Sequence, residues 1–181
     1  MRILVVGGAV AAGARTYRGW PELLWELTGS EVVNVAETGV RMLDVLRSVP
    51  RAPGSSYDVV VVEATVYDAR GGGTPPSEFA ALVEQTADIV VSRWPEAEVL
   101  VLSPTPISRD CSVSGFNRSA RRWLRRVLPE LQALDAVSVL DVSGLDLSLL
   151  PDGLHPSIEG AREIAGLVAS QIALLRAHSQ V

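Results

Sequence analysis

Short apolar runs rich in valine alternate along the chain with stretches in which apolar residues recur every three or four positions. The run RILVVG at 2–7 reads as a buried strand. WPELLWEL at 20–27 has a helical pattern, with Pro21 suited to a first turn. EVVNVA at 31–36 is a second strand, and GVRMLDVLRSV at 39–49 a helix that Pro50 ends. YDVVVVEA at 57–64 is apolar on both faces, as a central parallel strand should be. The helix predicted at 76–94 places Phe79, Leu82, Val83, Thr86 and Val90 on one face. AEVLVLS at 97–103 is the fourth strand. The helix predicted at 114–131 turns Leu124, Val127, Leu128 and Leu131 inward. VSVLDV at 137–142 is a short fifth strand. The closing helix, 156–178, carries Ala161, Ile164, Ala165, Val168, Ile172 and Leu175 on its core face.

Five strands alternating with helices specify an α/β protein with a parallel sheet and right-handed crossovers. No repeat or linker-like composition break divides the chain, so residues 1–181 read as one domain. In such sheets ligands sit outside the C-terminal strand ends. That rule singles out GGAVAAG after the first strand, ETG after the second, TVYDARGGG after the third and PTPISRDCSVS after the fourth. PDGLH follows the fifth, where His155 comes three residues after Asp152, just before the last helix. A carboxylate beside an imidazole fixes its tautomer and stabilises its protonated form, which is how a general base is built. The only other histidine, His178, lies among the last residues.

With 181 residues, 48% hydrophobic and 20% charged, the chain can bury a full core and is expected to be soluble and globular. Its net charge of −5 argues against nucleic acid as the main partner. Cys111 is the only cysteine, which rules out an intrachain disulfide. No spacing suggests a metal site, and GGAVAAG lacks both the P-loop lysine and the dinucleotide glycine pattern, so no cofactor is expected. The first apolar run is too short for a signal-peptide core or a membrane span. A cytoplasmic protein is therefore expected, in which the Asn117 sequon would meet no glycosylation machinery. The high Ala, Val, Arg and Gly content is compatible with a GC-rich bacterial genome.

The layout, and above all DGLHPSIEGAREIA near the C-terminus, resembles the SGNH (GDSL-like) hydrolases. The resemblance covers essentially the whole chain and implies a three-layer, flavodoxin-like five-stranded parallel sheet with helices on both faces. It implies activity on ester, thioester or related acyl substrates, with His155 as base and Asp152 orienting it. Gly39, in NVAETG, takes the place of the glycine whose N–H serves the oxyanion hole. Two blocks depart from the family pattern. Gly7, Gly8 and Ala9 stand where Gly-Asp-Ser is expected, so Ala9 occupies the nucleophile position without an oxygen. No serine occurs before Ser30, and Thr16 is seven residues too late. After the third strand, Tyr67 replaces the oxyanion asparagine, while Asp68 is kept.

Three explanations remain open. Either a serine has been replaced at position 9 in an otherwise working acyl hydrolase, or the loss is natural and the His155–Asp152 pair now serves a lyase, cyclisation or isomerisation. The third is a non-catalytic binding module that keeps the pocket. Gly8, Glu63, Asp68 and Cys111 are the further candidates for lining the site. Arg118, Arg121, Arg122, Arg125 and Arg126 recur at helical spacing and read either as a solvated face or as a docking patch for an acidic partner, such as a carrier domain, or an anionic substrate. The GGG at 71–73 reads either as a mobile loop that could serve as a lid or as a simple connector, and Trp20 and Trp25 as packing residues.

Overall fold

The computed structural model describes residues 1–16, 18–54 and 56–178. Five strands form one parallel sheet: β1 (Arg2–Val6), β2 (Glu31–Asn34), β3 (Val59–Glu63), β4 (Glu98–Leu102) and β5 (Ser138–Leu140). They lie in the order β2-β1-β3-β4-β5, with Val5 beside Val61 and Val62 beside Val101. The helices are α1 (Trp20–Thr28), α2 (Met42–Ser48), α3 (Pro76–Arg93), α4 (Arg118–Gln132) and α5 (Ile158–His178). Short 3₁₀ segments at Val49–Arg51, Val66–Gly72 and Leu147–Leu149 complete the described elements.

The pleat sorts the core into two layers, because successive side chains of a strand point to opposite faces. Leu4, Val6, Val60 and Val62 pack against Met42, Phe79, Val83, Trp123 and Val127, beneath α2, α3 and α4. Ile3, Val5, Val59 and Val61 pack against Trp20, Leu24, Ile164 and Val168, beneath α1 and α5. All five residues of β3 are buried, as its unbroken valine run predicts.

The structure trims most predicted elements by one to four residues and corrects a few assignments. The second helix begins at Met42, not at 39, because Gly39 has φ +78° and Arg41 is extended at the cap. The GGG segment begins at a kink, where Arg70 is extended and Gly71 takes φ +68°, and Gly73 again has a positive φ of +79°. Of the two tryptophans of the first helix only Trp20 is packed; Trp25 is 56% exposed. In α4 the buried aromatic is Trp123, and Leu128 is only half-buried. Asn117 is the N-cap of that helix, its side chain accepting from the Ser119 N–H.

Candidate active site

The strand order changes direction at β1, whose neighbours are β2 and β3, and loops from both halves of the sheet meet there. The loop after β1 folds into tight turns, with Ala12 N donating to Gly8 O (3.0 Å) and Ala14 N to Ala9 O (2.9 Å). It is fastened on one side by β2, where Asn34 Nδ2 donates to Ala11 O (2.9 Å). On the other side lies Glu63, the last residue of β3. Its carboxylate accepts from Ala11 N–H and is also stabilised by the Val10 and Gly8 N–H groups. The Trp20 indole adds to this stabilisation without reaching hydrogen-bonding geometry. Burial outweighs these donors and pushes the Glu63 carboxyl up to about 7.

Gly7 and Gly8 are there because β3 comes so close. A β-carbon at residue 7 would overlap Glu63 Cβ and lie 3.3 Å from Glu63 Cα. One at residue 8 would lie 3.1 Å from Thr65 Cβ and 3.4 Å from Glu63 Oε1. Because backbone cannot yield as a flexible side chain does, Gly7→Ala is expected to cost about 3 kcal/mol, read from the urea midpoint at unchanged m-value.

Beyond β3, Thr65 Oγ1 accepts from Tyr67 N (3.0 Å) and donates to Val40 O (3.0 Å), which ties the Gly39 turn to this segment. Gly39 itself is exposed, three residues ahead of α2, so its N–H belongs to a turn and not to a helix start. Asp68 is 1% exposed, and both its oxygens are engaged internally, with Met42 N (2.7 Å) and Thr74 Oγ1 (2.7 Å). Burial raises its carboxyl above the ordinary value against those two bonds. Glu63 and Asp68 thus brace the loops from below. The half-buried Tyr67 ring meets Phe116 edge-on, with centroids 5.4 Å apart.

At the far edge, Asp152 and His155 form a compact pair. Asp152 Oδ1 accepts from Leu154 N (2.9 Å) and His155 N (2.8 Å), while Oδ2 meets His155 Nδ1 at 2.8 Å. Burial works against the Asp152 charge, but these donors prevail and hold its carboxyl below the ordinary value. The Nδ1–H tautomer follows, leaving Nε2 with its lone pair free. His155 is 3% exposed, and its Nε2 has no hydrogen-bond partner.

The loop after β4 is laced to this pair through Ser108 N to Gly153 O (2.9 Å) and Ser112 N to Asp152 O (2.9 Å). Cys111 packs there, its backbone against Gly153, where a β-carbon would lie 2.6 Å from Cys111 Cα. Burial and the Asp152 charge raise its thiol against the opposing Val113 N–H and Arg121, which disfavours the thiolate.

Sequence reasoning missed two residues. Arg15, at φ +62°, brings its Nε within 3.5 Å of Asp152 Oδ2 and joins the loop after β1 to the histidine loop. No signal announces it, since arginine has no preference for that conformation. Thr105 holds a buried hydroxyl without a partner in the loop already singled out after β4. Among the described residues no cluster of three or more His, Cys, Asp or Glu could hold a metal. No helix there is long and apolar enough to cross a membrane.

A carboxylate-held imidazole at the C-terminal edge of a 2-1-3-4-5 sheet defines an α/β protein of the SGNH hydrolase architecture. Within that class the chain belongs to the GDSL-like Lipase/Acylhydrolase family, whose profile matches residues 4–163. Among solved structures it is similar to the native aryl esterase of M. smegmatis, at 18% identity and TM-score 0.81, covering 96% of this chain and 99% of that one. A carbohydrate acetylesterase family member from Sinorhizobium meliloti gives 17% and 0.78, covering 96% and 97%. The lipase/acylhydrolase from Enterococcus faecalis gives 19% and 0.70, covering 94% of each chain. No curated protein sequence matches.

Proposed function

We propose that this chain handles acyl-ester substrates, with His155 Nε2 as the proton-accepting atom and Asp152 as its orienting partner. Ala9 stands in the nucleophile position, so the chain as written has no protein oxygen there to form an acyl intermediate. The observation that carries the reading is the state of His155. One ring nitrogen is bound to Asp152, and the other is buried without a partner. An orphaned buried acceptor costs about 1–3 kcal/mol. A nucleophile's hydroxyl, or a polar group of a bound ligand, would relieve that cost. The family match and the esterase-like fold support the acyl substrate class.

A second reading keeps the dyad and drops the covalent step: proton transfer on a bound ligand, as in a lyase, cyclase or isomerase. Tyr67 favours it, because an aromatic ring packed on Phe116 replaces the small polar oxyanion donor that acyl transfer uses.

The test is Ala9→Ser, compared with the unaltered chain on 4-nitrophenyl acetate. Acyl chemistry with a ready base predicts a gain of about 10²–10⁴-fold in kcat/KM, the usual scale of acid–base assistance. A serine variant no more active than the unaltered chain would overturn the acyl reading in favour of the second.

A further inference from the structure

We propose that the groove between the start of α3 and the first half of α4 binds a phosphate-bearing small molecule through Arg122 and Arg126. It is about 270 Å³ in volume, just below the range of drug-sized ligand pockets and enough for a small anion. Pro75 and Pro76 line it at the entry to α3, and Ser119, Arg122, Trp123 and Arg126 from α4. No carboxylate is among its lining residues.

Helix α4 concentrates positive charge at a cost to its own stability. All 16 basic residues of the chain are arginines, and five of them fall within the nine positions 118–126, although the net charge is −5. Arg118 with Arg122, Arg121 with Arg125, and Arg122 with Arg126 are like-charge neighbours four residues apart, each costing about 0.2–0.5 kcal/mol. Arg118 and Arg121 stand in the first turn of α4, where the helix dipole disfavours cations, and no acidic residue stands there to compensate. Among the described residues none of the five forms an ion pair. An anion held between Arg122 and Arg126 would offset the like-charge repulsion.

The structure also divides the five. Arg121 is turned back to the carbonyls of Ser108 (3.1 Å) and Arg109 (3.4 Å), so it braces the loop after β4. Arg118 and Arg125 are exposed and are not among the groove's lining residues. Arg122 and Arg126, one turn apart, remain to face an occupant together. The wall between them is rigid. Trp123 is 5% exposed, its indole N–H donates to Thr74 O, and its ring meets Phe79 edge-on at 5.0 Å. Two guanidinium forks on a fixed wall suit a phosphate dianion, which each can bind in bidentate fashion. None of the lining residues belongs to the His155–Asp152 pair, so the site is separate from the acyl reading.

Calorimetric titration of the full chain at low ionic strength, with inorganic phosphate, phenyl phosphate and poly-glutamate as probes, tests this. Saturable one-to-one binding of a phosphate probe is expected, weakened about tenfold or more by Arg122→Gln or Arg126→Gln. Arg118→Gln, outside the groove, should change it by less than about twofold. Absence of saturable phosphate binding would overturn the proposal. So would tight binding of poly-glutamate that Arg118→Gln weakens as much as Arg122→Gln, since that result would make the face a docking surface for an acidic polypeptide.

Discussion

In an Ala9→Ser background, Asp152→Asn is expected to lower ester turnover by about 10²–10⁴-fold while leaving the chain folded. The two Asp152 oxygens have separate tasks: Oδ1 holds the backbone N–H groups of Leu154 and His155, and Oδ2 holds the imidazole. An asparagine must keep its carbonyl oxygen on those two donors. Its NH₂ then faces Nδ1, which becomes an acceptor, and the ring proton moves to Nε2. The base is lost through the wrong tautomer rather than through a lost contact. The fall should appear in kcat with KM nearly unchanged, because substrate contacts are untouched. His155→Ala should remove the whole gain made by serine. If instead Asp152→Asn left kcat intact, the proton would not pass through Nε2, and the dyad reading would fail.

The second large effect is on stability. The Glu63 carboxyl is pushed from an ordinary 4.5 up to about 7 in the fold, so between those values the folded state holds more protons than the unfolded one. The stabilisation that Glu63 contributes is then fully present below about pH 4.5, declines as pH rises towards 7 and is lost above it, about 3 kcal/mol in all. Urea unfolding at pH 5 and pH 8 measures most of that difference. Asp68, also raised by burial, adds slope in the same direction, so the decisive comparison is with Glu63→Gln, which should flatten most of the decline. Asp152 acts oppositely: its carboxyl is lowered, and its stabilisation is lost as pH falls through the acid range, below this window. An equal slope in the glutamine variant would mean that the Glu63 charge is solvated in a way its burial does not suggest.

The two predictions differ in how far each could be foreseen. The Asp152–His155 pair is legible because it is local: three residues suffice for a carboxylate to hold the backbone amides of Leu154 and His155 and the ring. The sheet is legible for a similar reason, since the valine run of β3 is apolar at every position and admits only burial on both faces. Glu63 could be listed as a site candidate but not given its task. That task depends on Val5 lying beside Val61, a pairing across 56 residues that brings the loop after β1 over the end of β3. The start of α2 is not legible in the sequence, because the apolar pattern runs through Gly39 whereas the backbone there takes φ +78°. Trp20 and Trp25 show the limit of periodicity: five residues apart on one helix, one is enclosed by α5 and the sheet and the other faces out.

The backbone bonds that join Ser108 to Gly153 and Ser112 to Asp152 have a consequence for recognition. They fix the imidazole from two loops at once, with Arg15 reaching in from a third. The base therefore does not wait for a ligand to arrange it. The entropy of ordering this corner is surrendered when the chain folds, and a molecule that arrives later meets a surface already set to receive it.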